Sequence, residues 1–129
     1  VAPYLVASTV EAVLAQRLVR RVCESCARET APDRAMLDAF GARPEELPMV
    51  RRGAGCAACR GTGFRGRVGI YELLALDDRV RTELLGRRGA GELRRLAAEQ
   101  GMRSLRDDGL RLVRAGKTTP EEVLRATRA

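Results

Sequence analysis

The sequence predicts an α+β fold that is mostly helical and that holds a four-cysteine zinc subdomain. The region that carries all four cysteines lies between a segment that we interpret as a short strand, 16–22, and a segment of high strand propensity, 67–74. After Leu76 the chain has four short segments with helical periodicity, which predict a small helical bundle. At 129 residues the chain is long enough to bury a hydrophobic core of its own.

The N-terminal part predicts a helix followed by a strand. Apolar residues recur at helical spacing over 6–15, at Val6, Val10, Val13 and Leu14. From Gln16 the pattern changes, because the apolar residues then lie among arginines. Two interpretations are open there, a continuation of the helix and a short strand. The strand is preferred, because the run ends at a cysteine pair typical of a metal-binding knuckle.

Between the two cysteine pairs the sequence predicts a short helix that begins within 30–33 and ends at Gly41. Pro32 suits the first turn of a helix, and Asp33 complements the helix dipole. The segment 43–47 predicts one further helical turn. After the second cysteine pair, the glycine-rich segment 60–66 predicts tight turns that lead into the strand 67–74.

The remaining chain predicts four helices. Their bounds are Asp77 or Asp78 to Leu85, Gly89 or Gly91 to Gly101, about 103–115 with Gly116 at its end, and a last helix from Thr119. The start of the last helix is the clearest, because Thr119 is a good N-cap, Pro120 fits the first helical position and Glu122 completes a capping box.

The composition excludes several kinds of chemistry. The chain has no histidine, which rules out a Ser-His or Cys-His nucleophile pair, an imidazole base and a mixed Cys/His metal site. Lys and Arg total 24 against 17 Asp and Glu, a net charge of +7. We interpret most of the arginines as solvated surface residues, and a phosphate-binding surface is the lesser alternative. Two Tyr and two Phe are too few to build a stacking platform for single-stranded nucleic acid.

The chain lacks the apolar run of about 20 residues that a membrane-spanning helix needs. Its N-terminus also lacks the pattern of a secretory signal peptide. We therefore expect an intracellular protein. Since the sequence starts at Val1 without an initiator Met, we expect it to be part of a longer chain.

Four cysteines form two matched pairs, Cys23-x2-Cys26 and Cys56-x2-Cys59. This spacing lets each pair place two thiolates on one ion, and two pairs complete the tetrahedral site that zinc prefers. Since all four ligands come from the protein, such a site is structural and has no open position for catalysis. Two disulfides, a redox-active pair and a four-thiolate iron centre are the alternatives. The spacing does not separate zinc from iron.

The run from Gly55 to Leu74 resembles the tetracysteine segment of the GspE/PilB family. Its central part reads Cys-Ala-Ala-Cys-Arg-Gly-Thr-Gly-Phe-Arg-Gly-Arg-Val-Gly-Ile-Tyr-Glu. These proteins are hexameric ATPases that drive type II secretion and type IV pilus assembly. The segments 15–23, 100–110 and 118–125 also resemble the family, so that the resemblance covers essentially the whole chain.

The resemblance implies the C-terminal end of such an ATPase. Four parts are then expected: 1–22, the end of a RecA-like motor domain; 23–59, a tetracysteine zinc-binding insertion; 60–76, a turn and strand returning to the motor domain; and 77–129, a C-terminal helical subdomain. It also implies a cytoplasmic protein, peripheral at the inner membrane, that contacts other subunits of the hexamer and the inner-membrane platform or other secretion and pilus proteins. Neither nucleic acid binding nor direct membrane insertion is expected.

The nucleotide-hydrolysing motifs of the family are missing from this sequence. It has no Gly-x4-Gly-Lys-Ser/Thr phosphate loop, no Walker-B-like strand ending in acids and no histidine box. We therefore assign no catalytic and no cofactor-binding residue, and expect ATP and Mg²⁺ only in the full-length parent. Arg17 or Arg20 contacting nucleotide at a subunit boundary is a lesser alternative to a solvated or structural role.

Three functions are compared. The preferred one is a non-catalytic part of a secretion or pilus motor, in which zinc at Cys23, Cys26, Cys56 and Cys59 stiffens a segment that docks on a neighbouring subunit or the membrane platform. The alternative is a stand-alone basic zinc module that binds nucleic acid. An independent enzyme is disfavoured, because the chain lacks histidine, an open metal position and a phosphate loop.

Overall fold

The computed structural model describes residues 2–86 and 89–128. Val1, Ala129 and residues 87–88 lie outside the described residues. The first predicted segment begins at Val1, and the last one ends at Ala129. The described part contains α1 (Pro3–Thr9), β1 (Ala12–Val22), β2 (Ala27–Thr30), α2 (Arg34–Phe40), β3 (Val50–Gly53), β4 (Phe64–Ala75), α3 (Asp78–Leu85), α4 (Ala90–Glu99), α5 (Leu105–Arg114) and α6 (Pro120–Thr127). None of these helices has the length and apolar character needed to cross a membrane.

The strands form two small sheets. The long strands β1 and β4 pair with each other, and the short strands β2 and β3 form a second pair. The second pair is antiparallel, with Ala27 opposite Gly53 and Thr30 opposite Val50. The fold is thus a mixture of helices with two small sheets, in line with the predicted α+β class.

The chain forms two compact units. The first contains the chain up to Ala15 together with Tyr71–Ser104, and the second contains Gln16–Ile70 together with the chain from Leu105. The division falls within β1 and β4. Helices α3 and α4 belong to the first unit, whereas α5 and α6 belong to the second.

The first unit has a core of three buried residues with four partly buried apolar neighbours: Leu76, Val80 and Leu96, surrounded by Val10, Leu74, Leu84 and Leu93. Asp77 caps α3, since its carboxylate accepts the Val80 N–H at 3.0 Å. Arg81 joins α3 to α1, because its Nε donates to the Ala7 carbonyl at 2.7 Å.

The second unit has two apolar clusters: Leu37, Leu47, Val50, Val113 and Val123 in one, and Val19, Ile70 and Leu112 in the other. Consecutive residues of α5 serve both, Leu112 in the second cluster and Val113 in the first. Through these two residues α5 packs with β1, β3 and β4 of the second unit. The apolar face of a helix is buried wherever the matching surface lies.

The predicted helix over 6–15 is wrong beyond Thr9. Helix α1 ends there, Val10 has an extended backbone (φ −83°, ψ 127°), and β1 begins at Ala12. Pairing explains the difference, because the Leu76 N–H donates to the Glu11 carbonyl at 2.9 Å and β4 lies beside β1. A long-range strand partner thus overrides a local helical pattern. The preferred strand over 16–22 is confirmed as part of β1.

Other predicted elements need smaller corrections. Asp33 is the N-cap of α2 and not a first-turn residue, since its carboxylate accepts the Met36 N–H at 2.8 Å. Gly41 ends that helix with a left-handed φ of 66°, as predicted. The segment 43–47 forms a hydrogen-bonded turn, Glu46 N–H to Arg43 carbonyl at 2.9 Å, and not a helix. Strands β2 and β3, which have four residues each, were not predicted from the sequence.

The later elements are confirmed. The predicted strand 67–74 lies within β4, and Asp77 and Gly89 are the N-caps of α3 and α4. The predicted helix 103–115 is α5, shorter by one or two residues at each end. Thr119 caps α6, because its hydroxyl accepts the Glu122 N–H at 3.3 Å.

Candidate metal centre

The four cysteines come together in the second unit. Cys23 directly follows β1, Cys26 directly precedes β2, and Cys56 and Cys59 lie in the connection between β3 and β4. Their four Sγ atoms all lie within 4.8 Å of one another. The antiparallel pairing of β2 with β3 explains this meeting, because it places Ala27, directly after the first cysteine pair, opposite Gly53, which precedes the second pair.

The sulfur–sulfur distances match a tetrahedral site. Cys23 Sγ lies 3.8 Å from Cys56 Sγ, Cys26 Sγ lies 3.8 Å from Cys59 Sγ, and Cys56 Sγ lies 3.7 Å from Cys59 Sγ. A metal ion with four sulfur ligands at about 2.3 Å gives a tetrahedron with edges of about 3.8 Å. The four thiols therefore already have the spacing that such an ion requires.

The same distances bear on the disulfide alternative. A disulfide bond joins its sulfur atoms at about 2.05 Å, whereas these pairs are separated by 3.7 to 3.8 Å. All four cysteines are free thiols in this structure. Cys23 and Cys59 are nearly inaccessible, with 1% and 5% of their surface exposed, while Cys26 and Cys56 are partly exposed. The donor set is suited to a thiophilic metal that is held by protein ligands alone.

Backbone amides point at two of the sulfurs. Cys59 Sγ accepts the N–H groups of Cys56 and Gly63, each at 3.2 Å, and Cys26 Sγ accepts the Gly55 N–H at 3.3 Å. At Cys59, burial raises the pKa, but the Cys56 and Gly63 amides outweigh it and the pKa falls below its usual value. At Cys26, burial dominates and raises the pKa, although the Gly55 amide opposes it. The amides thus favour negative charge on sulfur, which a metal-bound thiolate carries.

The second cysteine loop is built from residues with a left-handed backbone, as the predicted tight turns require. Arg60 has a φ of 56° and Gly61 a φ of 77°. The Gly61 N–H closes the loop on the Cys56 carbonyl at 2.9 Å, and the Thr62 hydroxyl donates to the Cys59 carbonyl at 2.7 Å. These bonds turn the backbone around the pair and aim both sulfurs at the same point.

The backbone amides of Val22 and Cys23 donate to two different parts of the second unit. The Val22 N–H donates to the Lys117 carbonyl at 2.9 Å, and the Cys23 N–H donates to the Gly63 carbonyl, also at 2.9 Å. The first bond joins the end of β1 to the turn between α5 and α6. The second joins the first cysteine pair to the residues that follow the second pair. The position of Cys23 is therefore fixed by both stretches of chain that form the second unit, Gln16–Ile70 and the chain from Leu105.

The two arginines considered as nucleotide contacts have other partners here. The Arg20 guanidinium lies over the Phe64 ring at 4.2 Å and pairs with Glu122 at 3.1 Å. The Arg17 Nη1 donates to the Gln16 carbonyl at 2.9 Å. Cation–π and ion-pair contacts of this kind give Arg20 a structural role.

Glu122 has a role that its position in the sequence does not indicate. In a capping box its carboxylate would turn back to the helix N-cap. In the structure the carboxylate reaches β1, where it accepts the Arg20 N–H at 2.8 Å and Arg20 Nη2 at 3.1 Å, and it also accepts from Arg125. Glu122 is 3% exposed in the structure. No pattern in the sequence indicates a partner 102 residues away.

The chain is similar in sequence to known secretion and pilus-assembly proteins. The family model described as "Type II/IV secretion system protein" matches residues 1–125. The chain is 43% identical to the type IV pilus assembly ATPase PilB of Thermus thermophilus over 129 residues, which are 98% of this chain and 14% of that protein. It is 44% identical to the type II secretion system protein E of Pseudomonas aeruginosa over 126 residues, 98% of this chain and 25% of that protein.

A third relative is the type II secretion system ATPase E of Vibrio cholerae, which is 42% identical over 130 residues. The match covers 98% of this chain and 25% of that protein. The chain thus spans between about one seventh and one quarter of the length of these curated relatives.

Proposed function

The chain belongs to the type II/IV secretion system protein family, and from this premise we propose that it is the non-catalytic C-terminal part of a hexameric secretion or pilus-assembly ATPase. In this proposal the full-length parent couples ATP hydrolysis to protein secretion or pilus extension. The absence of a phosphate loop and of histidine from the sequence supports a non-catalytic role. ATP and Mg²⁺ then bind residues of the parent that lie elsewhere.

The metal in this proposal is a structural Zn²⁺ held by Cys23, Cys26, Cys56 and Cys59. The observation that carries it is the sulfur geometry, three separations of 3.7 to 3.8 Å within a group of four thiols. When bound, zinc supplies a cross-link between the two cysteine loops and contributes free energy to folding. With four protein ligands it has no position left for water, so it supplies no catalysis.

The segment between the two cysteine pairs has little hydrophobic core of its own to stabilise it. Its buried apolar side chains are few, Leu37, Leu47 and Val50, and its regular elements are α2 and two four-residue strands. A two-stranded sheet of this length is marginal by itself. A metal centre at the base of this segment stabilises it in the way that small domains with little core require.

The stiffened segment 23–59 then serves as a docking element. In this proposal it contacts neighbouring subunits of the hexamer or a protein of the inner-membrane platform, and the parent is cytoplasmic and peripheral at the inner membrane. The segments 1–22 and 60–76 belong to the RecA-like motor domain, and 77–129 is the C-terminal helical part. Ion pairs such as Arg52–Glu121 and Arg111–Asp108 use up part of the basic surface, which favours this assignment over a nucleic-acid-binding module.

Metal analysis of the purified chain is the first test. We expect one zinc ion per chain in the wild type and none in the Cys23→Ser/Cys26→Ser double variant. Ser25→Ala is the matched control, because Ser25 lies between these cysteines with an exposed side chain and should leave zinc unchanged. Iron in place of zinc would overturn the choice of metal. An absence of metal from the freshly purified wild type would overturn the centre.

Activity tests the rest of the proposal. The isolated chain is expected to show no ATP turnover, whereas the double cysteine variant placed in the full-length parent should lose secretion or pilus extension. If the variant parent folds, lacks zinc and still supports secretion at the wild-type level, the docking role is wrong. A DNA or RNA affinity of the isolated chain that falls steeply with salt would support the nucleic-acid alternative instead.

A further inference from the structure

Two glycines make a backbone contact beside the four cysteines. Gly53 is the last residue of β3, and Gly63 directly precedes β4. A Cβ atom placed on Gly53 would lie 2.1 Å from the Gly63 carbonyl oxygen and 2.5 Å from its Cα. A Cβ atom on Gly63 would lie 2.6 Å from the Gly53 carbonyl oxygen. Since such distances are far below van der Waals contact, only glycine fits at either position.

Gly63 is also the residue that connects the two cysteine pairs. Its N–H donates to Cys59 Sγ at 3.2 Å, and its carbonyl accepts the Cys23 N–H at 2.9 Å. Its φ of 81° lies in the left-handed region, which lets the two peptide groups on either side of it face these different partners. One residue therefore orients a sulfur of the second pair and the backbone of the first.

Gly53 lies against Gly63 from the side of the first cysteine loop. It is paired with Ala27, the residue after Cys26, in the short antiparallel sheet. The next residue, Ala54, donates its N–H to the Cys26 carbonyl at 3.1 Å. Any displacement of Gly63 by a side chain on Gly53 would act on both loops at once.

We propose that the contact between Gly53 and Gly63 positions the metal centre, by holding the Gly63 N–H on Cys59 Sγ and the Gly63 carbonyl on Cys23. This inference rests on the proposed four-thiolate site. Four thiolates around one divalent ion carry a net charge of about −2, and amide donors to sulfur lower the cost of that charge. Groups that orient metal ligands typically change metal affinity by about 10–100-fold when they are altered.

Gly53→Ala is the direct test, because the backbone of Gly53 lies outside the left-handed region and the change adds only bulk. Zinc affinity is measured by competition with a chelator, and the site is examined in the cobalt-loaded chain. We expect zinc affinity to fall about 10–100-fold. The thiolate-to-cobalt charge-transfer band should move to longer wavelength, since a sulfur that loses an N–H donor holds its electrons less tightly.

Gly91→Ala is the matched control, because nothing lies within 4 Å of a Cβ at Gly91. We expect it to leave zinc affinity and the cobalt spectrum unchanged. A Gly53→Ala chain with wild-type zinc affinity and an unshifted band overturns the positioning role while leaving the metal site intact. A wild-type chain that takes up no zinc overturns the metal site, and the positioning role with it.

A measurement on the wild type decides the matter if Gly53→Ala does not fold. The chain is loaded with a spin-active cadmium isotope, and coupling between the metal and amide protons is sought across N–H···S bonds. We expect splitting of the Gly63, Cys56 and Gly55 amide protons, which donate to sulfur in the structure. Splitting at Cys56 and Gly55 without splitting at Gly63 overturns the proposal.

Discussion

The Glu122 carboxylate accepts a hydrogen bond from the backbone N–H of Arg20 at 2.8 Å, across 102 residues of sequence. The contact joins the first turn of α6 to the edge of β1, three residues before Cys23. The side chain of Glu122 is 4% exposed, and it also pairs with the guanidinium groups of Arg20 and Arg125. The C-terminal helices of the second unit are thus connected to the strand that leads into the candidate metal centre.

Replacing Glu122 with Gln is expected to destabilise the second unit. The amide keeps the size of the side chain, but it loses the charge that two guanidinium groups face. Because hydrogen bonds to buried charged groups contribute about 1.5–3 kcal/mol each, we expect a loss of about 2 kcal/mol in the free energy of unfolding. Urea denaturation followed by circular dichroism measures it.

Glu121→Gln is the matched control for this change. Glu121 is the neighbouring acid, is 48% exposed and pairs with Arg52 at the surface. Exposed ion pairs contribute about 0–1 kcal/mol, so this variant should stay close to the wild type. Equal losses in the two variants would contradict the role assigned to the buried carboxylate.

The same carboxylate should make stability depend on acid pH. Burial raises the pKa of Glu122, but hydrogen bonds from Arg125 and Arg20 outweigh it and lower the pKa to about 2. Because the folded pKa lies below the unfolded value of about 4.3, the charged form stabilises the fold above that pH. The stabilisation is lost progressively as the pH falls through about 4 towards 2.

The measurement compares urea midpoints of the wild type and Glu122→Gln at several pH values. We expect a constant difference between neutral pH and about pH 5, and a difference that shrinks as the pH falls towards about 2. A difference that stays constant down to pH 3 would show that Glu122 has an ordinary pKa in the folded chain.

Thr118, in the turn before α6, makes a second hydrogen bond to Arg20 of β1. It is fully buried, and its hydroxyl donates to the Arg20 carbonyl at 2.7 Å. Thr118→Val keeps the shape but leaves that carbonyl without this donor, so we expect a loss of about 1–2 kcal/mol in the free energy of unfolding. Thr30→Val, on an exposed strand position, should change stability by less than about 0.5 kcal/mol. Thermal unfolding of the two variants compares them.

The sequence predicted those parts of the fold whose cause is local. The caps at Asp77 and Thr119 and the helix end at Gly41 follow from chemistry within one turn of the chain, and the structure has all three. The pairs Cys23-x2-Cys26 and Cys56-x2-Cys59 carry their own geometry as well, and their sulfurs do meet. The resemblance drawn from the segment around the second pair is confirmed by the family match over residues 1–125.

Three of the differences between the prediction and the structure have long-range causes. The segment after Thr9 has a helical pattern, but its partner in β4 makes it a strand. Strands β2 and β3 have four residues each and become recognisable only through their pairing. Glu122 has the correct position for a capping box, yet a backbone amide 102 residues away takes its carboxylate. In each case, the deciding partner lies too far along the chain for a local pattern to indicate it.

Removal of the proposed zinc should affect the two units unequally. The four thiols all lie in the second unit, and the N–H of Val22, the residue before Cys23, donates to the Lys117 carbonyl in the turn between α5 and α6. We therefore expect a chelator to speed amide hydrogen exchange at least about tenfold in the segment 23–66, where metal binding contributes to folding. Helices α3 and α4 have their own core around Val80 and should keep their protection.

Hydrogen exchange read by mass spectrometry, with and without chelator, resolves the two responses. Re-addition of zinc should restore the slow exchange of the segment 23–66, and the Cys23→Ser/Cys26→Ser chain should exchange rapidly there without any chelator. The control is that chelator leaves exchange unchanged in the double variant, since it has no complete site to empty. Exchange that rises equally in both units would show that the metal stabilises the chain as a whole. No change in the exchange of the wild type would show that the cysteine loops keep their structure without a metal. Backbone hydrogen bonds alone, such as that from the Cys23 N–H to the Gly63 carbonyl, would then hold the sulfur positions.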